Sequence, residues 1–70
     1  MKFKHDISIV LPVYNEEFII EKNVNILVDY LKTLKEKYNW EILIVNDGSN
    51  DKTGALADKL AKKHLRINVF

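Results

Sequence analysis

Two short runs rich in β-branched residues, Ile7-Ser8-Ile9-Val10-Leu11 and Glu41-Ile42-Leu43-Ile44-Val45, constrain this chain more than any other feature. Each has the length of a strand and each ends at a turn former, Pro12 after the first and Asn46-Asp47-Gly48-Ser49 after the second. Both are apolar nearly throughout rather than alternating, as strands of a parallel sheet covered on two faces are. The stretch between them has a helical period. Ile20, Val24, Leu27, Leu31, Leu34 and Tyr38 recur at alternating spacings of four and three, which keeps them on one face. Asn15 reads as the N-cap, Glu16 and Glu17 suit the positive end of the helix dipole, and Tyr38-Asn39-Trp40 closes the helix.

A second helix is expected from Asn50 or Asp51, with Leu56, Ala57, Leu60 and Ala61 as its apolar stripe; Gly54 in its first turn weakens it slightly. Arg66 to Phe70 reads as a third strand. The fold class expected is therefore α/β: a three-stranded parallel sheet with two crossover helices, β-α-β-α-β. If the strands lie in the order 3-2-1, right-handed crossovers put both helices on one face and leave the other bare. Residues 1–70 are accordingly expected to be the leading piece of a larger α/β domain. Its second sheet face would be covered by the remainder of that domain or by a partner.

Composition sets further limits. At 70 residues there is room for one small domain, which buries only about 60% of its unfolded surface. There is no cysteine, hence no disulfide and no thiolate metal site, and His5 and His64 lack ligand spacing. Eleven Lys and Arg against ten Asp and Glu give a net charge of +1, so no electrostatic case for nucleic acid arises. The lysines of 32–37 and 59–63 alternate with apolar residues, as on the solvated side of helices. The first six residues lack the apolar core of a signal peptide, and no run approaches the ~20 apolar residues of a membrane span. With no cysteine in the chain, a cytoplasmic location is expected.

In a parallel sheet every loop that follows a strand emerges along one edge, where ligands of open α/β sheets bind. Two such loops are present, Pro12-Val13-Tyr14-Asn15-Glu16-Glu17 and Asn46-Asp47-Gly48-Ser49-Asn50-Asp51. Tyr14 offers a face on which a base could stack. Glu16 and Asp47 are acceptors for base N–H groups and ribose hydroxyls. Gly48 allows close approach or a positive φ, and Pro12 fixes the path of the chain leaving the strand. Each feature has a plainer reading too. Tyr14 could cover the sheet edge, Asn15 to Glu17 could simply start a helix, and Asp-Gly is a common turn pair. Neither a GxGxxG fingerprint nor a P-loop is present. Asp47, Ser49, Asp51 and Asp58 fall at EF-hand-like offsets, but Lys52 stands where the calcium loop needs Gly.

Leu11-Pro12-Val13-Tyr14-Asn15-Glu16-Glu17 and Ile44-Val45-Asn46-Asp47-Gly48-Ser49-Asn50-Asp51-Lys52-Thr53 together resemble the opening of family 2 glycosyltransferases, enzymes of the GT-A fold. The likeness runs from Ile7 to Phe70. It implies a nucleotide-sugar site formed by Pro12, Tyr14, Glu16, Asp47, Gly48 and Ser49. Tyr14 would pack on the base, and Asp47 would hydrogen-bond base or ribose. Many members have two aspartates where this chain has Asn46-Asp47, so the role of the first position is open.

The branch most resembled moves a hexose from a UDP- or GDP-sugar onto dolichyl or another polyprenyl phosphate. By the same resemblance, the complete enzyme inverts the anomeric centre and uses Mg²⁺ or Mn²⁺ against the leaving diphosphate. The metal ligands and the general base are expected after residue 70, leaving no catalytic residue in this stretch. The alternatives are a non-catalytic nucleotide-binding module and a structural α/β piece docking on a partner.

Overall fold

The computed structural model describes residues 4–70; the start of the leader reading, Met1 to Phe3, lies outside them. Five elements follow in order: β1 (His5–Val13), α1 (Ile20–Lys32), β2 (Tyr38–Asn46), α2 (Thr53–Lys63) and β3 (Ile67–Val69). The sheet is parallel with β2 in the centre, in the order β1-β2-β3. This is the expected β-α-β-α-β architecture.

Register explains the core. Ile9 and Ile67 both lie opposite Ile42, and Leu11 and Val69 opposite Ile44, so these residues share one face of the sheet. Helices α1 and α2 cover that face and touch each other. Ile20, Val24, Val28 and Leu31 of α1 and Ala57 and Leu60 of α2 are buried with Trp40, Ile42 and Ile44. The other face carries Ser8, Val10, Pro12, Leu43 and Val45. Val10 is 61% exposed there, and Leu43 and Val45 are half-buried. Among the described residues nothing packs over it, so the continuous apolar runs are used on one face only.

β1 and β2 are longer than their apolar runs suggest, whereas β3 is only Ile67–Val69, shorter than the expected Arg66 to Phe70. β1 continues through Pro12 because it is an edge strand whose odd-numbered residues bond to β2. His5 N–H donates to Lys37 O, and Val13 O accepts from Asp47 N–H (both 3.0 Å). The nitrogen of Pro12 therefore faces the open edge, where a missing donor costs nothing. At the other end, Tyr38-Asn39-Trp40 opens β2 instead of closing α1. The helix stops at Lys32, and a turn through Thr33 to Lys37 leads to two aromatic residues that suit a strand. Their pairing with His5 and Ile7 adds ladder bonds and buries Trp40. On α1 itself Val28 is buried and Leu27 only half-buried, a small rotation of the expected stripe.

Candidate functional site

Register carries the two loops to one place. Val13 pairs with Asn46, the last residues of β1 and β2, and Asp47 N–H donates to Val13 O just beyond. Tyr14 and Asp47 thus leave neighbouring strand ends on the same edge. Tyr14 is 55% exposed and Asp47 is exposed. Pro12 lies within β1, on the uncovered face, opposite Val45. Gly48 takes φ +74, the left-handed region that favours glycine, and a side chain there would meet nothing within 4 Å.

Asn15 is no helix cap. It sits at φ 49, in the left-handed region, and α1 begins only at Ile20, after the Glu16 carbonyl has accepted from Ile19 and Ile20 N–H (3.0 and 2.8 Å). Asparagine tolerates this conformation better than most residues. Asn15 reaches across instead: its N–H donates to Ser49 Oγ (3.0 Å) and its Oδ1 accepts from Asn50 N–H (2.8 Å). The next two amides do likewise. Glu16 N–H donates to Thr53 Oγ1 (2.7 Å) and Glu17 N–H to Asp51 Oδ2 (3.3 Å). The Glu16 carboxylate turns back to accept from Tyr14 N–H (3.2 Å).

The second loop is braced in the same way. Asn46 Oδ1 accepts from Ser49 N–H (3.2 Å), which gives Asn46 a turn-forming role at the position whose function was open. A Cβ on Gly54 would lie 2.8 Å from Asn46 Nδ2, so glycine in that first helical turn is clearance for Asn46. Helix α2 starts at Thr53, later than Asn50 or Asp51, because Asp51 Oδ1 accepts from Thr53 N–H (2.9 Å) and from the Thr53 hydroxyl. Thr53 is fully buried and was missed in the sequence. Its signal was available: 53, 57 and 60 form a helical stripe whose first member is polar.

Partial desolvation pushes the Asp51 carboxyl up, but the hydrogen bonds from the Thr53 hydroxyl and the Thr53 and Glu17 amides outweigh it and hold it below its ordinary value of 3.8. A carboxylate depressed in the folded state stabilises it above the unfolded pKa, and that contribution fades as pH falls through the folded one. Wild type is thus expected to lose stability relative to Asp51→Asn below about pH 3.8. Urea melts of both between pH 2 and 6 check this. A gap that does not change with pH would show that the Asp51 charge contributes nothing.

The loops carry Glu16, Glu17, Asp47 and Asp51 against Lys52, a net negative rim. Yet no group of three His, Asp or Glu among the described residues could hold a metal ion. A recess of about 360 Å³ between Trp40, Lys63 and Arg66 lies at the opposite end of the sheet. Two of its lysines, Lys32 and Lys63, end the last turns of α1 and α2, where cations complement the dipole. No described helix is long and apolar enough to cross a membrane.

The family model "Glycosyl transferase family 2" matches residues 8–70. The chain is 44% identical over 64 residues to a dolichyl-phosphate beta-glucosyltransferase (ALG5A) of Trichomonas vaginalis, covering 87% of this chain and 20% of that one. Against the dolichyl-phosphate beta-glucosyltransferase of Saccharomyces cerevisiae, identity is 42%, covering 89% of this chain and 18% of the relative. Against the glycosyltransferase AglD of Haloferax volcanii, identity is 37%, covering 93% and 10%. The chain thus spans a fifth or less of the length of these relatives. With both loop motifs inside the matched span, this chain belongs to glycosyl transferase family 2.

Proposed function

We propose that residues 12–17 and 46–51 form the nucleoside end of the donor site in a glycosyltransferase that uses a nucleotide sugar. The observation that carries this is the placement of Tyr14 and Asp47 just beyond the paired strand ends Val13 and Asn46, on loops bonded directly to each other. An exposed aromatic face and a carboxylate acceptor are what a base and ribose require. Pro12, Glu16, Gly48 and Ser49 shape the loops that present them. The acidic rim supports the same assignment by subtraction. It suits the donors of a nucleoside and repels a diphosphate, so the diphosphate must meet compensating charge elsewhere. We assign that role to Mg²⁺ or Mn²⁺ held by residues outside this stretch.

The names of the Trichomonas and yeast relatives support a polyprenyl phosphate as acceptor. Such an acceptor is already anionic and needs little help from a base. It would place the full-length protein at a membrane surface, which we take to be the cytoplasmic face. Inversion at the anomeric carbon is part of this reading. The test is calorimetric titration of the full-length protein with UDP and GDP, followed by transfer of labelled hexose to dolichyl phosphate. Binding of one nucleotide together with transfer is expected. If neither nucleotide binds at millimolar concentration, the donor-site reading is wrong. If a nucleotide binds without lipid-linked product, the acceptor is another class.

A further inference from the structure

Three successive amides of the first loop donate to three different side chains of the second loop and the start of α2: Asn15 to Ser49, Glu16 to Thr53 and Glu17 to Asp51. Helix capping does not explain this. To start α2, Asp51 needs only Oδ1, which takes the Thr53 amide, yet Oδ2 is turned away to Glu17. Thr53 is 0% exposed, and its hydroxyl is used twice, donating to Asp51 and accepting from Glu16. Asn15 holds a left-handed conformation that most side chains disfavour, and both its amide and its side-chain oxygen are spent across the gap. Surface loops are ordinarily the mobile part of a fold; these two are fastened as one body.

We propose that Asn15, Asp51 and Thr53 are positioning residues, a clasp that sets the spacing of Tyr14 and Asp47 before a nucleotide arrives. The proposal rests on the donor-site reading above. Its physical content is preorganisation: loops ordered in the free protein need not be ordered at the cost of binding free energy. None of the three has to touch the ligand.

The test uses the full-length protein and whichever of UDP or GDP it binds. Thr53→Val keeps the shape and removes the hydroxyl, Thr53→Ser keeps the hydroxyl, and Asn15→Gly keeps the left-handed backbone while removing the link to Asn50. Thr53→Val is expected to raise Kd about tenfold and to speed hydrogen exchange at the Glu16 amide. Thr53→Ser should return both towards wild type. Asn15→Gly should raise Kd about fivefold with an unchanged melting temperature. If Thr53→Val does not fold, Asn15→Gly decides alone. Variants that exchange faster yet bind as wild type does, or a Thr53→Ser that rescues neither readout, overturn the clasp as a positioning device. A wild type that binds neither nucleotide removes the donor-site reading and this proposal together, whereas equal binding by wild type and variants removes this proposal only.

Discussion

Replacing Asp47 by alanine is expected to weaken nucleotide binding by about 1–3 kcal/mol, roughly five- to 150-fold in Kd, without a matching loss of stability. The size follows from stranding ligand donors that the carboxylate would otherwise accept. The absence of a fold penalty follows from the structure: the Asp47 side chain is exposed, and its backbone bond to Val13 does not depend on the side chain. Tyr14→Ala should cost a similar ~1–3 kcal/mol if a base stacks there. The two losses should combine without simple addition, since both side chains serve one ligand. Titrations of single and double variants with the preferred nucleotide, paired with melting curves, measure all of this. Unchanged affinity in Asp47→Ala removes Asp47 from the site. A Tyr14→Ala that melts early but binds normally makes Tyr14 edge cover.

The sequence made the site legible where chemistry and topology coincided. Strand-type apolar runs ending in Pro12 and Asn46-Asp47-Gly48, with a helical period between, sufficed to place Tyr14 and Asp47 on one edge, because parallel strands allow no other exit. The clasp was not legible, because its contacts join residues more than thirty positions apart and residues such as Asn15 and Asp51 have an ordinary local use as helix caps. Local propensity assigned them that use. At Asn15 contact between the loops overrode it, whereas Asp51 keeps its local bond to the Thr53 amide and spends only its second oxygen across the gap. Tyr38 to Trp40 failed for a related reason. Tyr38 continues the α1 period by coincidence, while pairing with β1 settles its conformation. The position of Val28 turns on a rotation too small for spacing alone to fix.

The largest effect on the fold should come from Ile42→Ala. Ile42 is 0% exposed, at the centre of the middle strand between Ile9 and Ile67, beneath both helices. Removing a buried isoleucine to alanine costs about 2–5 kcal/mol through lost burial and the cavity left behind. A domain of this size seldom holds more than about 3–5 kcal/mol, so the 70-residue chain should be largely unfolded by this one change.

Val10→Ala is the contrasting case. Val10 lies on the neighbouring strand, one residue on from Ile9, but faces the uncovered side and is 61% exposed. In the 70-residue chain its truncation should shift stability by less than ~0.5 kcal/mol. Urea melts of the two variants beside wild type test whether the core is one-sided; equal losses would refute that. The same Val10 substitution in the full-length protein asks a further question. If other parts of that protein pack over Val10, Leu43 and Val45, the cost there should rise to about 1 kcal/mol or more as Val10 becomes a core residue. A cost that stays near zero in the longer protein means that this face is solvated there too, and that runs as apolar as Ile42 to Val45 do not require cover on both sides.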